Sequence, residues 1–276
     1  MTEGREAVSM ARRLIPLVVA IAILGCPAVA SATEWPLSGY WPLLDRSGQS
    51  IRDISGKGNH GRLGSTSSPD KHDAEWIRGL YGVGSALRLD GNDFVAMPET
   101  ATMRPQRVSV EGWVRAPRSP GQFKYVIVKG GERCEAGSFG LYTSINGGMA
   151  FYVYDGRKWW RSPMVGTAIW DGEWHHIAGS YDGERVRLFV DGWQIGAGTA
   201  FSGAIEYDLE YRQAFLGAFR GACDLTFEGD VDELRIWSAA IPFADIWARI
   251  RQFVHLEPAA PLPEDAREWY ERAGPN

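Results

Sequence analysis

Five Asp-Gly pairs punctuate the middle of this chain, at Asp90-Gly91, Asp155-Gly156, Asp171-Gly172, Asp182-Gly183 and Asp191-Gly192. Gly147-Gly148 adds a sixth break. Both residue types tolerate the positive φ that tight hairpin turns demand, so each pair marks a reversal of the chain. Short apolar or alternating runs lie between the breaks. Val186, Leu188 and Val190 alternate with Arg185, Arg187 and Phe189, the period of a strand with one buried face. The runs Val108 to Val114, Tyr125 to Val128, Met149 to Tyr154, Trp174 to Tyr181, Ala214 to Ala218 and Val231 to Trp237 read the same way. No amphipathic helices separate them, which argues against a parallel α/β sheet. Regular short strands between turn signals indicate an all-β sandwich or barrel. The 33 glycines and 12 tryptophans suit many turns joining aromatic-rich strands.

One helix is expected after the last strand, over Phe243 to Phe253, where Ile246, Ile250 and Val254 recur every four residues beside Trp247. Beyond His255 the chain turns Pro-rich at Pro258, Pro261 and Pro263. Residues 256–276 therefore read as a tail, with a brief helix near Asp265 to Arg272. No internal repeat is evident, and residues 33–255 form one domain. The start has the pattern of an export signal: Arg12-Arg13, an apolar run from Leu14 to Gly25, then Ala30-Ser31-Ala32. Cleavage after Ala32 would remove residues 1–32. The run is short and carries Pro16, so no transmembrane span is expected. The protein is thus read as secreted or periplasmic. The alternative is a lipid anchor at the cell envelope through Cys26, because Ile23-Leu24-Gly25-Cys26 resembles a lipobox. Either route leaves Cys134 and Cys223, which suggest one disulfide in an exported domain or else two buried thiols. The net charge is −5 with no long Lys/Arg run, so a nucleic-acid footprint is missing.

Four segments together resemble the laminin-G-like, concanavalin A-like jelly-roll family, with a more distant similarity to pentraxins. The first runs from Tyr40-Trp41 through Asp53-Ile54-Ser55-Gly56-Lys57-Gly58-Asn59-His60-Gly61. The second is Ala86-Leu87-Arg88-Leu89-Asp90-Gly91-Asn92-Asp93-Phe94-Val95. The third joins Asp171-Gly172-Glu173-Trp174-His175-His176-Ile177-Ala178 to Leu188-Phe189-Val190-Asp191-Gly192. The fourth is Phe227-Glu228-Gly229-Asp230-Val231-Asp232-Glu233-Leu234-Arg235-Ile236-Trp237. Their order and spacing match over about 200 residues. The resemblance implies a two-sheet antiparallel jelly-roll β-sandwich with one concave sheet, and ligands that are glycans or other extracellular molecules. It also implies a structural calcium, with Asp53, Asn59, Asp93 and Asp232 as the ligands. The alternative is that Asp53 and Asn59 make side-chain turns with their own backbone. In pentraxins calcium bridges two rim loops that correspond here to Gly130 to Gly137 and Arg220 to Phe227. The comparison implies that a Cys134–Cys223 disulfide clamps those loops instead, stabilising by ~4 kcal/mol in the chain-entropy model. Glu132, Glu135, Asp224 and Glu228 stand near them.

Catalytic patterns are sparse. Glu206-Tyr207-Asp208-Leu209-Glu210 resembles the E-x-D-x-E signature of retaining glucanases of this general fold. Residues i, i+2 and i+4 of a strand share a face, so three carboxylates could line one cleft. In the matched family, however, this stretch is a connection into the strand at Ala214 and not a central strand. His175 and His176 are adjacent and must point to opposite faces of a strand. No nucleophile elbow or phosphate-binding glycine loop is present. Trp159-Trp160, flanked by Lys158 and Arg161, is the candidate stacking platform for a sugar. Its alternative is one ring in the core and one over a sheet edge. Tyr125 and Tyr152 are candidates for the concave sheet, and Trp193 follows a hairpin turn. The reading is an exported non-catalytic binding module for carbohydrate or another cell-surface ligand. A hydrolase using Glu206, Asp208 and Glu210 and a structural or adhesion protein are the rivals.

Overall fold

The structure is a computed structural model, and it describes residues 35–131, 137–219 and 225–253. The expected signal segment 1–32 with Cys26, the tail 256–276, and Cys134 and Cys223 lie outside the described residues, as do Glu132, Glu135 and Asp224. The strands in chain order are β1 (Leu37–Trp41), β2 (Ser50–Ile51), β3 (Gly61–Leu63), β4 (Glu75–Arg78), β5 (Ser85–Asp90), β6 (Val95–Met97), β7 (Val108–Arg115), β8 (Tyr125–Gly131) and β9 (Phe139–Thr143). They continue as β10 (Met149–Tyr154), β11 (Trp159–Arg161), β12 (His175–Tyr181), β13 (Arg185–Val190), β14 (Trp193–Gln194), β15 (Thr199–Ala200), β16 (Tyr211–Leu216) and β17 (Glu228–Trp237). Helix α1 spans Phe243–Phe253, the bounds expected from its periodicity.

The strands form two antiparallel sheets packed as a sandwich. The first has the order β14-β13-β12-β7-β17-β5-β4, with β1 also paired to β17 and β15 to β13. The second has the order β11-β10-β9-β8-β16-β6-β3-β2. Strand β17 pairs β5 through Glu228–Val231 and β1 through Leu234–Trp237. Between the two halves, Glu233 adopts a positive φ of 53° and the register against β7 shifts. This bulge lets one long strand serve two partners along the same edge.

The turns obey the sequence. The glycines of all five Asp-Gly pairs have positive φ, between 81° and 96°. The preceding aspartates cap the turn backbone: Asp155 Oδ1 accepts the N–H groups of Arg157 (2.8 Å) and Lys158 (2.7 Å), and Asp182 Oδ1 those of Glu184 (2.9 Å) and Arg185 (2.7 Å). Strand alternation then sorts the side chains. In β10, Met149, Phe151 and Val153 enter the core between the sheets, while Ala150 and Tyr152 face outward. Gly179 of β12 lies opposite Phe151, and a Cβ there would come within 2.1 Å of the ring. The missing side chain is what lets the two sheets close on that phenylalanine.

The outer face of the first sheet is covered by α1. Ile246 and Ile250 pack with Trp113, Ala178, Phe189 and Trp237. Under the helix lies a buried charge cluster. The Glu111 carboxylate, fully buried, accepts Nε and Nη2 of Arg249 at 2.9 and 3.1 Å and the Trp237 indole N–H at 3.3 Å. Arg235 and His176 stand 3.9 and 3.5 Å from it. Burial opposes the charge of Glu111, but His176 and then the two arginines hold its carboxyl well below the usual carboxylate range. Among the described residues no helix is long and apolar enough to cross a membrane.

Candidate functional site

The outer face of the second sheet is built differently. Alternation along β8, β9 and β10 turns Tyr125, Tyr142 and Tyr152 outward, where they cluster with Phe94, Phe215 and Phe219. Tyr125 stacks on Tyr142 at 5.5 Å between centroids and on Phe219 at 5.2 Å. Tyr152 meets Tyr142 edge-on at 5.3 Å. Two backbone positions border this aromatic floor. The Leu225 carbonyl accepts the Tyr125 N–H at 3.2 Å, and Gly137 donates its N–H to the Tyr152 hydroxyl at 3.2 Å. What stays open is a groove of about 270 Å³ lined by Phe123, Tyr125, Tyr142, Tyr152, Trp159, Arg161 and Leu225. Burial raises the pKa of all three tyrosines, so their hydroxyls stay neutral and able to donate or accept.

The expected tryptophan pair divides across β11, because neighbouring strand residues face opposite ways. Trp159 enters the groove, tilted against Tyr154 at 5.7 Å with the Arg161 guanidinium 5.5 Å from its ring centre. Trp160 turns inward. It stacks on Phe201 at 4.6 Å, donates its indole N–H to Asp155 at 2.8 Å, and packs against the main core. The stacking platform is therefore one ring and not two. Trp193 contacts Phe243 and Trp247 of α1 at 5.9 and 6.0 Å.

The four calcium ligands expected from the family each make hydrogen bonds within the protein. Asp53 accepts the N–H groups of Tyr40 (2.9 Å), Ser55 (2.8 Å) and Asn59 (2.8 Å), which makes it the cap of its own turn. Burial works against its charge, yet these bonds lower its pKa. The buried Asn59 side chain donates to Ser38 O and Thr102 Oγ1 and accepts from Thr100 Oγ1. Asp232 accepts the N–H groups of Leu80 and Glu233, both at 2.8 Å, and burial pushes its pKa up to about 7. Asp93 accepts the Asp90 N–H at 2.9 Å; burial, then the charges of Asp90 and Asp73, lift it to about 6. A hard cation needs several oxygens aimed at one point. Among the described residues no group of three or more His, Cys, Asp or Glu could hold a metal ion. The turn-forming alternative describes Asp53, whose oxygens accept three backbone N–H groups.

The acidic segment also takes its bland form. Residues 201–210 are extended but belong to no strand, and lead into β16. Ile205, Tyr207 and Leu209 are buried, while Asp208 and Glu210 are exposed and Glu206 is half-buried. Asp208 pairs with Arg212 on the surface, and Glu206 accepts the Asp208 N–H at 2.6 Å. The three carboxylates share the solvent side of a connection; none lines the groove. His175 lies between Asp191 (2.8 Å) and Asp171 (3.2 Å). Burial opposes its charge, but these partners outweigh that and raise its pKa to about 9. His176, on the opposite face, belongs to the Glu111 cluster.

A second, larger cleft of about 450 Å³ lies at the ends of β5, β7 and β17. Its charges neutralise one another: Arg88 and Arg115 both hold Asp230, at 2.8 and 2.6 Å, and Arg118 holds Glu228 at 3.1 Å. Little is left there for a ligand, so the aromatic groove is the stronger candidate although it is smaller.

A two-sheet antiparallel sandwich with an open aromatic groove on one outer face defines a laminin-G-like binding fold. Residues 89–246 match Laminin_G_3, the concanavalin A-like lectin/glucanases superfamily, and the chain belongs to that family. No curated protein matches the sequence significantly. Among solved structures it resembles the binding domain of Paraclostridial Mosquitocidal Protein 1, with a TM-score of 0.60 and 12% identity over 79% of this chain and 52% of that one. It also resembles domain 4 of AbnA, an extracellular arabinanase from Geobacillus stearothermophilus, in complex with arabinotriose. There the TM-score is 0.55 and the identity 19%, over 78% of this chain and 98% of that domain. A Trypanosoma rangeli sialidase is similar at a TM-score of 0.58 and 15% identity, over 87% of this chain and 36% of the enzyme. The chain thus spans about half of the mosquitocidal domain and about a third of the sialidase. At these identities the likeness is one of fold.

Proposed function

We propose that this protein is an exported, non-catalytic glycan-binding module that takes its ligand in the groove of Tyr125, Tyr142, Tyr152, Trp159 and Arg161. The observation that carries the reading is that groove itself, where half-buried Trp159 and exposed Arg161 stand beside a floor of buried tyrosines with neutral hydroxyls. Sugars present apolar C–H faces and polar edges, and a tryptophan ring with nearby tyrosine hydroxyls complements both. At about 270 Å³ the groove is close to the lower bound of ordinary ligand sites, which suits a short stretch of a chain better than a large compact molecule. The arabinotriose bound to the similarly folded AbnA domain supports the reading by analogy of fold. Nothing in the groove lining resembles a pair of carboxyls set for hydrolysis.

The test is calorimetric titration of the whole protein with a panel of soluble polysaccharides, neutral and acidic. Binding of at least one of them, lost in Trp159→Ala while thermal unfolding stays cooperative, is the expected result. Binding that survives Trp159→Ala, or no binding across the panel, would reject the groove as a glycan site.

A further inference from the structure

Within this reading, we infer that the ligand is a glycan carrying carboxylate groups, and that Arg161 is the residue that selects for them. The three arginines that line the larger cleft are matched: Arg88 and Arg115 share Asp230, and Arg118 holds Glu228. Arg161 is different. It is exposed, lines the groove, and lies over the Trp159 ring at 5.5 Å from the ring centre. Among the described residues no carboxylate forms an ion pair with it, and no acidic side chain lines the groove.

The neighbouring turn does not compete for the groove: Asp155 accepts the N–H groups of Arg157 and Lys158 and the Trp160 indole N–H, Glu206 stands beside Gly156, and Lys158 lies over the inward-facing Trp160 at 4.1 Å. Arg161 is the cation that lines the groove among the described residues. A guanidinium beside an aromatic ring is only weakly hydrated and presents hydrogen-bond donors at its edge. It is suited to a planar carboxylate that it can meet with two parallel N–H bonds. A sugar ring on Trp159 would bring a carboxylate borne on that ring, or on the next one, within reach of Arg161. A neutral sugar would leave the guanidinium unused.

The experiment pairs each acidic polysaccharide with its carboxyl-reduced form, in which the backbone is kept and the acid becomes an alcohol. Polygalacturonate, alginate and hyaluronan are titrated in both forms, with poly-glutamate as a peptide polyanion. The expected result is that at least one native acid polymer binds about tenfold or more tighter than its reduced form. That advantage should weaken with added salt. Arg161→Gln should erase the difference between the two forms, and Trp159→Ala should abolish binding of both. Equal affinity for native and reduced polymers, still lost in Trp159→Ala, would overturn the acidic preference and leave the glycan reading standing. Poly-glutamate binding as tight as the best polysaccharide and insensitive to Trp159→Ala would show a general polyanion surface and overturn the inference. No binding of any polymer would overturn both it and the glycan reading.

Discussion

Replacing Glu111 by Gln tests how α1 is held to the sheet. The change preserves shape and volume and removes one charge. It leaves Arg249, Arg235 and His176, with side chains only 16%, 9% and 3% exposed, around a neutral amide. The two donors of Arg249 at 2.9 and 3.1 Å lose their charged acceptor. Breaking a buried ion pair from one side costs ~3–5 kcal/mol, because the remaining charge stays desolvated without compensation. That is a large share of the ~5–15 kcal/mol that holds a domain of this kind together. At ~2–4 °C per kcal/mol it lowers the midpoint of unfolding by roughly 6–20 °C. Scanning calorimetry and urea unfolding of the two proteins at pH 7 measure it. The pH dependence supplies a second check. A carboxylate whose folded pKa is depressed contributes stability that is present above its unfolded pKa of ~4.3 and fades as the pH falls toward the folded value. The gap between wild type and Glu111→Gln should therefore narrow below pH ~4.3, by up to ~1.4 kcal/mol per pH unit. A loss under ~1 kcal/mol at pH 7, or a gap that does not shrink on acidification, would refute the account of Glu111 as the charged anchor of the helix.

Two further outcomes follow from the same geometry. Trp160→Ala should cost about 3 kcal/mol, the low end for a buried tryptophan, since the ring is only half-buried but stacks on Phe201 at 4.6 Å. The folded fraction should still bind in the groove, and urea unfolding beside a binding titration separates the two effects. His175, with a folded pKa near 9 against an unfolded value of 6.5, stabilises the fold fully below pH ~6.5 and loses that contribution as the pH rises through 9. Because Asp171 is half-exposed, the effect should be on the order of 1–2 kcal/mol. A His175→Asn variant should lack this alkaline loss when unfolding midpoints are compared from pH 6 to 10.

Several features could be read from the chain for simple reasons. Val108 to Val114 reads as a strand because every second residue is apolar, and Asp182-Gly183 reads as a turn because its backbone demands a glycine. The helix at Phe243–Phe253 follows from apolar residues four apart. The strand Phe139–Thr143 was harder to see, because Gly140 interrupts its outward face and leaves Tyr142 as the lone signal on that side. Trp159 and Trp160 could be placed on opposite faces from spacing alone, but not which ring faced the core; the phase of a three-residue strand is set by its partner β10. Asp53 lies in a motif whose aspartate could equally cap a turn or ligate an ion, and only the positions of three N–H groups show the cap. Glu111 gave one hint, a charged residue inside an apolar run. Its partners Arg235 and Arg249 are more than 120 residues away, beyond any local pattern.

The two outer faces of the sandwich differ in what they leave open. On the first sheet, the surface that could have been a cleft is occupied: Ile246 and Ile250 fill it, and the ion cluster at Glu111 locks the helix in place. On the second sheet, the aromatic floor of Tyr125, Tyr142 and Tyr152 leaves an open groove beside Trp159. Glycoside hydrolysis would need two carboxyls ~5–9.5 Å apart across the bound sugar, one of them held protonated. Among the described residues the groove lining contains neither a carboxylate nor a histidine. The acids with raised pKa, Asp93 and Asp232, are spent on backbone N–H groups elsewhere, and Glu206, Asp208 and Glu210 stand on an outer connection. What the groove presents among the described residues is apolar area, neutral hydroxyls and the Arg161 guanidinium, groups suited to the ligand-holding role proposed above.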